Sequence, residues 1–141
     1  MTNPEHKKDK FYEDLRKILL NISPKDSILL MGDFNARVGC DYHTWPNVIG
    51  KHLRDKCNSN GLLLLSLCNE FNLTITNSLF QQSDKYKGTW RHPRFKDWHT
   101  LDYIITRQAE KNIVKMTRAH RGTEAWSDHR LLRSKIKICI S

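Results

Sequence analysis

Ser27-Ile28-Leu29-Leu30-Met31-Gly32-Asp33-Phe34-Asn35-Ala36-Arg37 decides how the rest of the chain is read. The apolar run from Ile28 to Met31 predicts a buried strand, and Gly32 frees the backbone to turn where that strand ends. Asp33 and Asn35 follow with one residue between them. In an extended chain, alternation puts both on one face and turns Phe34 back toward a core. A carboxylate beside a carboxamide at the carboxyl end of a buried strand suits a site for a phosphate and a divalent cation. The acid holds the cation or accepts a proton, and the amide donates to a phosphate oxygen. A plain Gly-Asp-Xaa-Asn turn is the competing reading of the same four residues.

Upstream, Phe11, Leu15, Ile18, Leu19 and Ile22 recur at helical spacing, with Lys10, Glu13, Asp14 and Lys17 on the outer side. The spacing predicts a helix over residues 9–21 behind a solvated tail, residues 1–8. Ser23-Pro24 ends that helix and leads into the strand. A helix feeding a buried strand is the grammar of an α/β sandwich.

Downstream, residues 38–58 read as a long polar excursion, and such loops inside compact domains are usually functional or disordered. Asn58-Ser59-Asn60-Gly61 opens a second helix whose leucines make it a core element packed on a sheet. Residues 73–77 alternate as a strand that Asn77 ends. Residues 87–91, 101–106 and 113–118 are further strand candidates, and 131–140 close the chain with alternating Leu/Ile and Arg/Lys. That last strand shows one face to the core and a cationic face to water or nucleic acid. There is no internal repeat and no linker, so the expectation is one domain.

The 141 residues carry 24 Lys+Arg against 15 Asp+Glu, a formal net charge of +9, so polyanions are plausible partners. Lys85, Tyr86, Lys87, Trp90, Arg91, His92, Arg94, Phe95, Lys96, Trp98 and His99 interleave cations with rings, which suits phosphate neutralisation and stacking on bases or sugars. A strand pair with rings inward and charges outward explains the same pattern. Cys40, Cys57, Cys68 and Cys139 contain no Cys-x-x-Cys, and Cys40, His43, His52 and Cys57 match no common zinc spacing. The amino-terminal residues are polar. The expectation is therefore an intracellular chain with free thiols and no membrane partner.

Three more positions bear on chemistry. Asp102 lies within a strand expected to be buried, where an acid is costly unless paired or hydrogen-bonded. Asp128 and His129 precede the final strand, and a buried acid with a histidine makes an acid–base pair. A satisfied core acid and an ordinary turn explain each of these singly.

In order, Gly32-Asp33-Phe34-Asn35, Lys87-Gly88-Thr89-Trp90-Arg91-His92-Pro93, Trp98-His99-Thr100-Leu101-Asp102-Tyr103 and Trp126-Ser127-Asp128-His129-Arg130-Leu131-Leu132 resemble the endonuclease/exonuclease/phosphatase superfamily. That superfamily includes pancreatic deoxyribonuclease, exonuclease-III-type apurinic endonucleases and the endonucleases of non-LTR retrotransposons. The likeness is strongest to craniofacial development protein 2-like reading frames of retrotransposon origin. It implies metal-dependent hydrolysis of phosphodiesters in DNA, with RNA as another candidate substrate, Mg²⁺ or Mn²⁺ as cofactor, and a nuclear location. By the same resemblance, Asp33 positions or deprotonates water and binds metal, Asn35 holds that water and a phosphate oxygen, and Asp128 contributes to the metal site. His129, oriented by Asp102, binds the scissile phosphate. Thr89 and Trp90 brace the site, and Arg91 and Trp98 join them toward nucleic acid.

The family fold is a four-layer α/β sandwich built from two similar halves, of the deoxyribonuclease I and exonuclease III type. The first half supplies an early Asn, a metal-binding Glu and a catalytic Tyr. Glu5, Glu13 and Asp14 lie in a tail or on a helix and do not substitute for that Glu. Residues 9–141 therefore read as the carboxy-terminal half, a mixed sheet with helices on one face. Two further expectations follow from this: catalysis is weak or lost, and an uncovered apolar sheet face drives self-association. A non-catalytic, basic nucleic-acid-binding remnant is the alternative.

Overall fold

The computed structural model describes residues 4–53, 56–82, 87–91, 94, 98–119 and 132–137, with 4–8 described by backbone alone. Helix α1 runs Pro4–Leu20, starting inside the stretch expected to be a tail. Proline is tolerated there because first-turn N–H groups have no intrahelical partner. The buried stripe of α1 is Tyr12, Leu15 and Leu19. Phe11 and Ile18, expected inside, are 45% and 61% exposed, because the inward stripe is centred one residue further along and takes in the tyrosine.

Among the described residues, strand β1 (Leu29–Asp33) forms the edge of a three-stranded sheet, with β5 (Asp102–Arg107) in the centre and β2 (Leu73–Ile75) on the far side. Both pairings are antiparallel, as are all described pairings, where a mixed sheet was expected. Helix α2 (Ser59–Glu70) packs with α1 over one face of this sheet. Leu64, Leu65 and Cys68 of α2 meet Leu73, Ile75, Tyr103 and Ile105 in a continuous core. The expectation of a buried β1 is only half met. Ile28 is buried and Leu30 half-buried, but Leu29 and Met31 are 47% and 61% exposed. The helices cover one face of this edge strand, and alternation turns the other two side chains away from them.

Residues 38–58 are less of an excursion than their composition suggests. Val48, Ile49 and Leu53 are buried, and the Val48 carbonyl accepts from the Ile75 N–H at 2.8 Å. The Gly50 N–H donates to Ser78 Oγ at 2.9 Å, so the segment lies along β2 and the 3₁₀ turn Thr76–Ser78 that follows it. Strand β3 (Trp90–Arg91) pairs with β4 (Trp98–His99), a short strand that the sequence did not announce. A 3₁₀ turn, Gln108–Ile113, leads to β6 (Val114–Ala119), which pairs with β7 (Leu132–Ile136) around a bulge between Val114 and Met116.

A row of hydroxyls joins the three-stranded sheet to the β6–β7 ribbon. Thr76 Oγ1 donates to the Ile104 carbonyl at 2.6 Å and lies 2.8 Å from Thr117 Oγ1. Thr117 Oγ1 is in turn 2.9 Å from Ser134 Oγ. Among the described residues no helix is long and apolar enough to cross a membrane.

Candidate active site

Asp33 closes β1, and the register places it directly opposite Asp102, the first residue of β5. Cross-strand partners point to the same face of a sheet, so the two carboxylates share one side of the strand ends. Gly32, just before Asp33, has φ +153°, a backbone conformation that L side chains rarely adopt. The ladder continues one step further, the Phe34 N–H donating to the Leu101 carbonyl at 3.0 Å. Phe34 is buried, as expected, and its ring lies 6.3 Å from that of Tyr103.

Asn35 is placed by a different route from the alternation expected of it. Its φ is +47°, left-handed rather than extended, so the strand ends before it. Asn and Asp tolerate this region best among non-glycine residues. Asp33 Oδ1 accepts from the Asn35 N–H at 2.8 Å, folding the chain back on the acid. Asn35 is exposed, with its main chain held against Asp33.

Asp102 is half-buried rather than enclosed. Thr89 is fully buried beneath it, and its Oγ1 accepts from the N–H groups of both Leu101 and Asp102 at 3.0 Å. The Thr89 N–H donates to the His99 carbonyl at 2.9 Å, which ties the β3–β4 hairpin to the start of β5. Trp90 pairs with His99 across that hairpin, the rings stacked with centroids 6.1 Å apart. Arg91, exposed, stands opposite half-buried Trp98.

Three polar residues that hold this region were read from sequence only as helix or strand punctuation, or as core. Buried Asn77 donates to the Asp102 carbonyl and accepts from the Ile104 N–H, both at 3.1 Å. The Tyr103 hydroxyl lies 2.6 Å from the Ala36 carbonyl and 2.7 Å from that of Thr100, one proton serving two acceptors. Asn58, the N-cap of α2, accepts on Oδ1 from the N–H groups of Gly61 at 2.8 Å and Arg37 at 3.0 Å. The one available signal was an amide or phenol within an apolar stretch, where burial demands a partner.

Asp128 and His129, and the pairing of Asp102 with His129, lie outside the described residues. Among the described residues no group of three His, Cys, Asp or Glu side chains gathers as a metal cluster. Asp33 and Asp102 nevertheless supply two oxygen donors on one face, the ligand type that hard divalent cations take. Oxygen donors of this kind fit Mg²⁺ or Mn²⁺.

Two helices over an antiparallel sheet, with an acid pair at its strand ends, define a deoxyribonuclease I-like α/β fold. The chain belongs to the endonuclease/exonuclease/phosphatase superfamily: the model of the family described as endonuclease-reverse transcriptase matches residues 2–133. Craniofacial development protein 2 from Bos taurus and from Tragulus javanicus is 38% identical over 132 residues, 92% of this chain. The chain spans 22% of the length of those relatives. Among solved structures, the 3′-5′ exonuclease NExo from Neisseria meningitidis superposes with a TM-score of 0.69 at 21% identity, covering 96% of this chain and 56% of that one. The endonuclease domain of TRAS1, a telomere-specific non-LTR retrotransposon, gives 0.63 at 16% identity, covering 92% of this chain and 52% of that one. At those identities the likeness is one of fold.

Proposed function

We propose that this chain carries part of the catalytic site of a phosphodiesterase acting on DNA with Mg²⁺ or Mn²⁺. The observation that carries the reading is the register pairing of Asp33 with Asp102 at the strand ends, inside the stretch the family model matches. A bound divalent cation supplies charge neutralisation at the phosphate oxygens and an acidified water. Asp33, with Asp102 opposite it, would hold that cation, and Asp102 would also orient His129. Asn35 offers an exposed amide donor to a non-bridging oxygen, and His129 stabilises charge building on the phosphate. Asp128 adds a carboxylate to the cage. Thr89 fixes the main chain of Asp102, and Trp90, Arg91 and Trp98 give the neighbouring hairpin a cationic and aromatic surface for the polymer.

A relative of the same fold, described as the 3′ phosphatase NExo from Neisseria, is bound to a product DNA hairpin, which favours DNA over RNA as substrate. The likeness to TRAS1 and the basic charge are the grounds for a retrotransposon-type endonuclease working in the nucleus.

Mn²⁺ titration followed by electron paramagnetic resonance tests the proposal, alongside nicking of supercoiled plasmid. The expected result is saturable Mn²⁺ binding that Asp33→Ala removes, with any nicking removed with it. DNA binding with no detectable Mn²⁺ site would instead establish a non-catalytic nucleic-acid-binding module.

A further inference from the structure

The loop that carries the site rests on the first turn of α2, and we infer that Asn60 is a positioning residue for Asn35. Asn60 Nδ2 donates to the Asn35 carbonyl at 2.9 Å. Its own carbonyl accepts from the Tyr12 hydroxyl at 3.3 Å, anchoring it to α1. Its Oδ1 is buried and has no hydrogen-bond partner among the described residues. The amide is thus turned to serve Asn35 while leaving an acceptor unsatisfied, an arrangement that folds rarely keep without a reason.

Asn35 needs such a hold. Its φ of +47° is open to asparagine but less favoured than an extended backbone, and it persists only where the surroundings impose it. Both of its peptide groups are engaged: the N–H goes to Asp33 Oδ1 and the carbonyl receives the Asn60 amide. The next turn of chain is pinned as well, since the Asn58 N–H donates to the Arg37 carbonyl at 3.0 Å. A Cβ on Gly61 would stand 1.7 Å from that same carbonyl oxygen, so glycine lets the helix end sit directly against the loop. Helix α2 therefore sets the backbone of the residue whose carboxamide meets the phosphate. What Asn35 meets rests on the phosphodiesterase reading; that Asn60 holds it rests on the geometry.

A residue that merely favours the start of a helix behaves differently from a positioning residue when Asn60 becomes aspartate. A carboxylate keeps the shape and suits a helix amino terminus, but it has no proton to give. The test uses the whole chain labelled with ¹³C and ¹⁵N and titrated with dimethyl phosphate, the smallest phosphodiester. In the wild type, the Asn35 carbon shifts are expected to report the left-handed conformation, and its side-chain amide to move with dimethyl phosphate. In Asn60→Ala and Asn60→Asp the carbon shifts leave that range and the affinity falls about fivefold, the worth of one hydrogen bond. The melting temperature of Asn60→Asp falls no further than that of Asn60→Ala, since the carboxylate suits the helix amino terminus. Unchanged Asn35 carbon shifts in both variants would overturn the positioning role, as would shifts that change only in step with melting temperature. If the wild-type amide ignores dimethyl phosphate while the carbon shifts still respond to Asn60→Asp, the clamp is upheld and the phosphodiesterase reading fails.

Discussion

Asp33 and Asp102 stand opposite each other in the antiparallel ladder of β1 and β5. If the two acids share a cation, that cation stabilises the folded chain by mass action, about 2.7 kcal/mol at a hundredfold excess over its dissociation constant. Asp33→Asn is expected to weaken Mn²⁺ binding by about tenfold, which removes about half of that gain. Thermal unfolding with and without MnCl₂ measures both. Equal stabilisation of the two proteins would show that the pair holds no cation.

Thr89 accepts two main-chain N–H groups through one buried oxygen. Thr89→Val keeps the shape and strands both donors, at an expected cost of about 2–4 kcal/mol in chemical denaturation. Thr89→Ser keeps the oxygen and should cost about 1 kcal/mol, chiefly for the lost methyl. Equal losses in the two variants would assign the residue to packing alone.

How much of this was legible in the sequence varies by element, for physical reasons. The two helices and the strands read at 28–31 and 101–106 follow from periodicity and their stop signals, because those signals are local. Whether Met31 is covered depends on strand order, which no local pattern records, and so an apolar edge residue looked like core. Phe11 and Tyr12 are adjacent rings on α1, and spacing alone could not tell which would turn inward. Alternation was the argument for setting Asn35 beside Asp33, and it fails at a left-handed residue; the turn made by Asp33 brings the two together instead. Asn77 was read as the end of a strand, yet its amide bonds to Asp102 and Ile104, and a long-range bond of that kind leaves no periodic trace.

Leu29 and Met31 expose apolar surface on the edge strand of the sheet. Strands of this kind invite pairing with another chain, and a single lysine usually blocks it. The chain is expected to associate as its concentration rises in sedimentation velocity, and Met31→Lys to sediment as a monomer. Because the side chain is exposed, the substitution should change stability by no more than about 0.5 kcal/mol. A wild-type chain that stays monomeric throughout would show that this edge is inert.

Cys68 is buried in the core of α2, and burial pushes its thiol up to about 12. Burial also raises the Tyr12 hydroxyl above its ordinary value. Both groups stay protonated in the fold at a pH where the unfolded chain has begun to lose its protons. Their contribution is therefore complete below the ordinary thiol value of 9.0 and is lost as pH climbs toward about 12. Stability by urea denaturation should decline above about pH 9, by at most about 1.4 kcal/mol per pH unit for each proton involved. Cys68→Ala should flatten the decline between pH 9 and 10. An unchanged slope would place its origin elsewhere.

The hydroxyls that bridge the two sheets also have a polarity. Thr76 spends its single proton on the Ile104 carbonyl, so it can only receive from Thr117, and Thr117 must then receive from Ser134. Ser134 has the Met116 carbonyl 3.0 Å away as a second acceptor, so the relay is one proton short at its outer end. Greasy surfaces can slide over one another, whereas a one-way file of donors holds together in a single alignment. A valine at Thr117 would sever the file at its midpoint, and the two sheets would lose the feature that tells them where to stop.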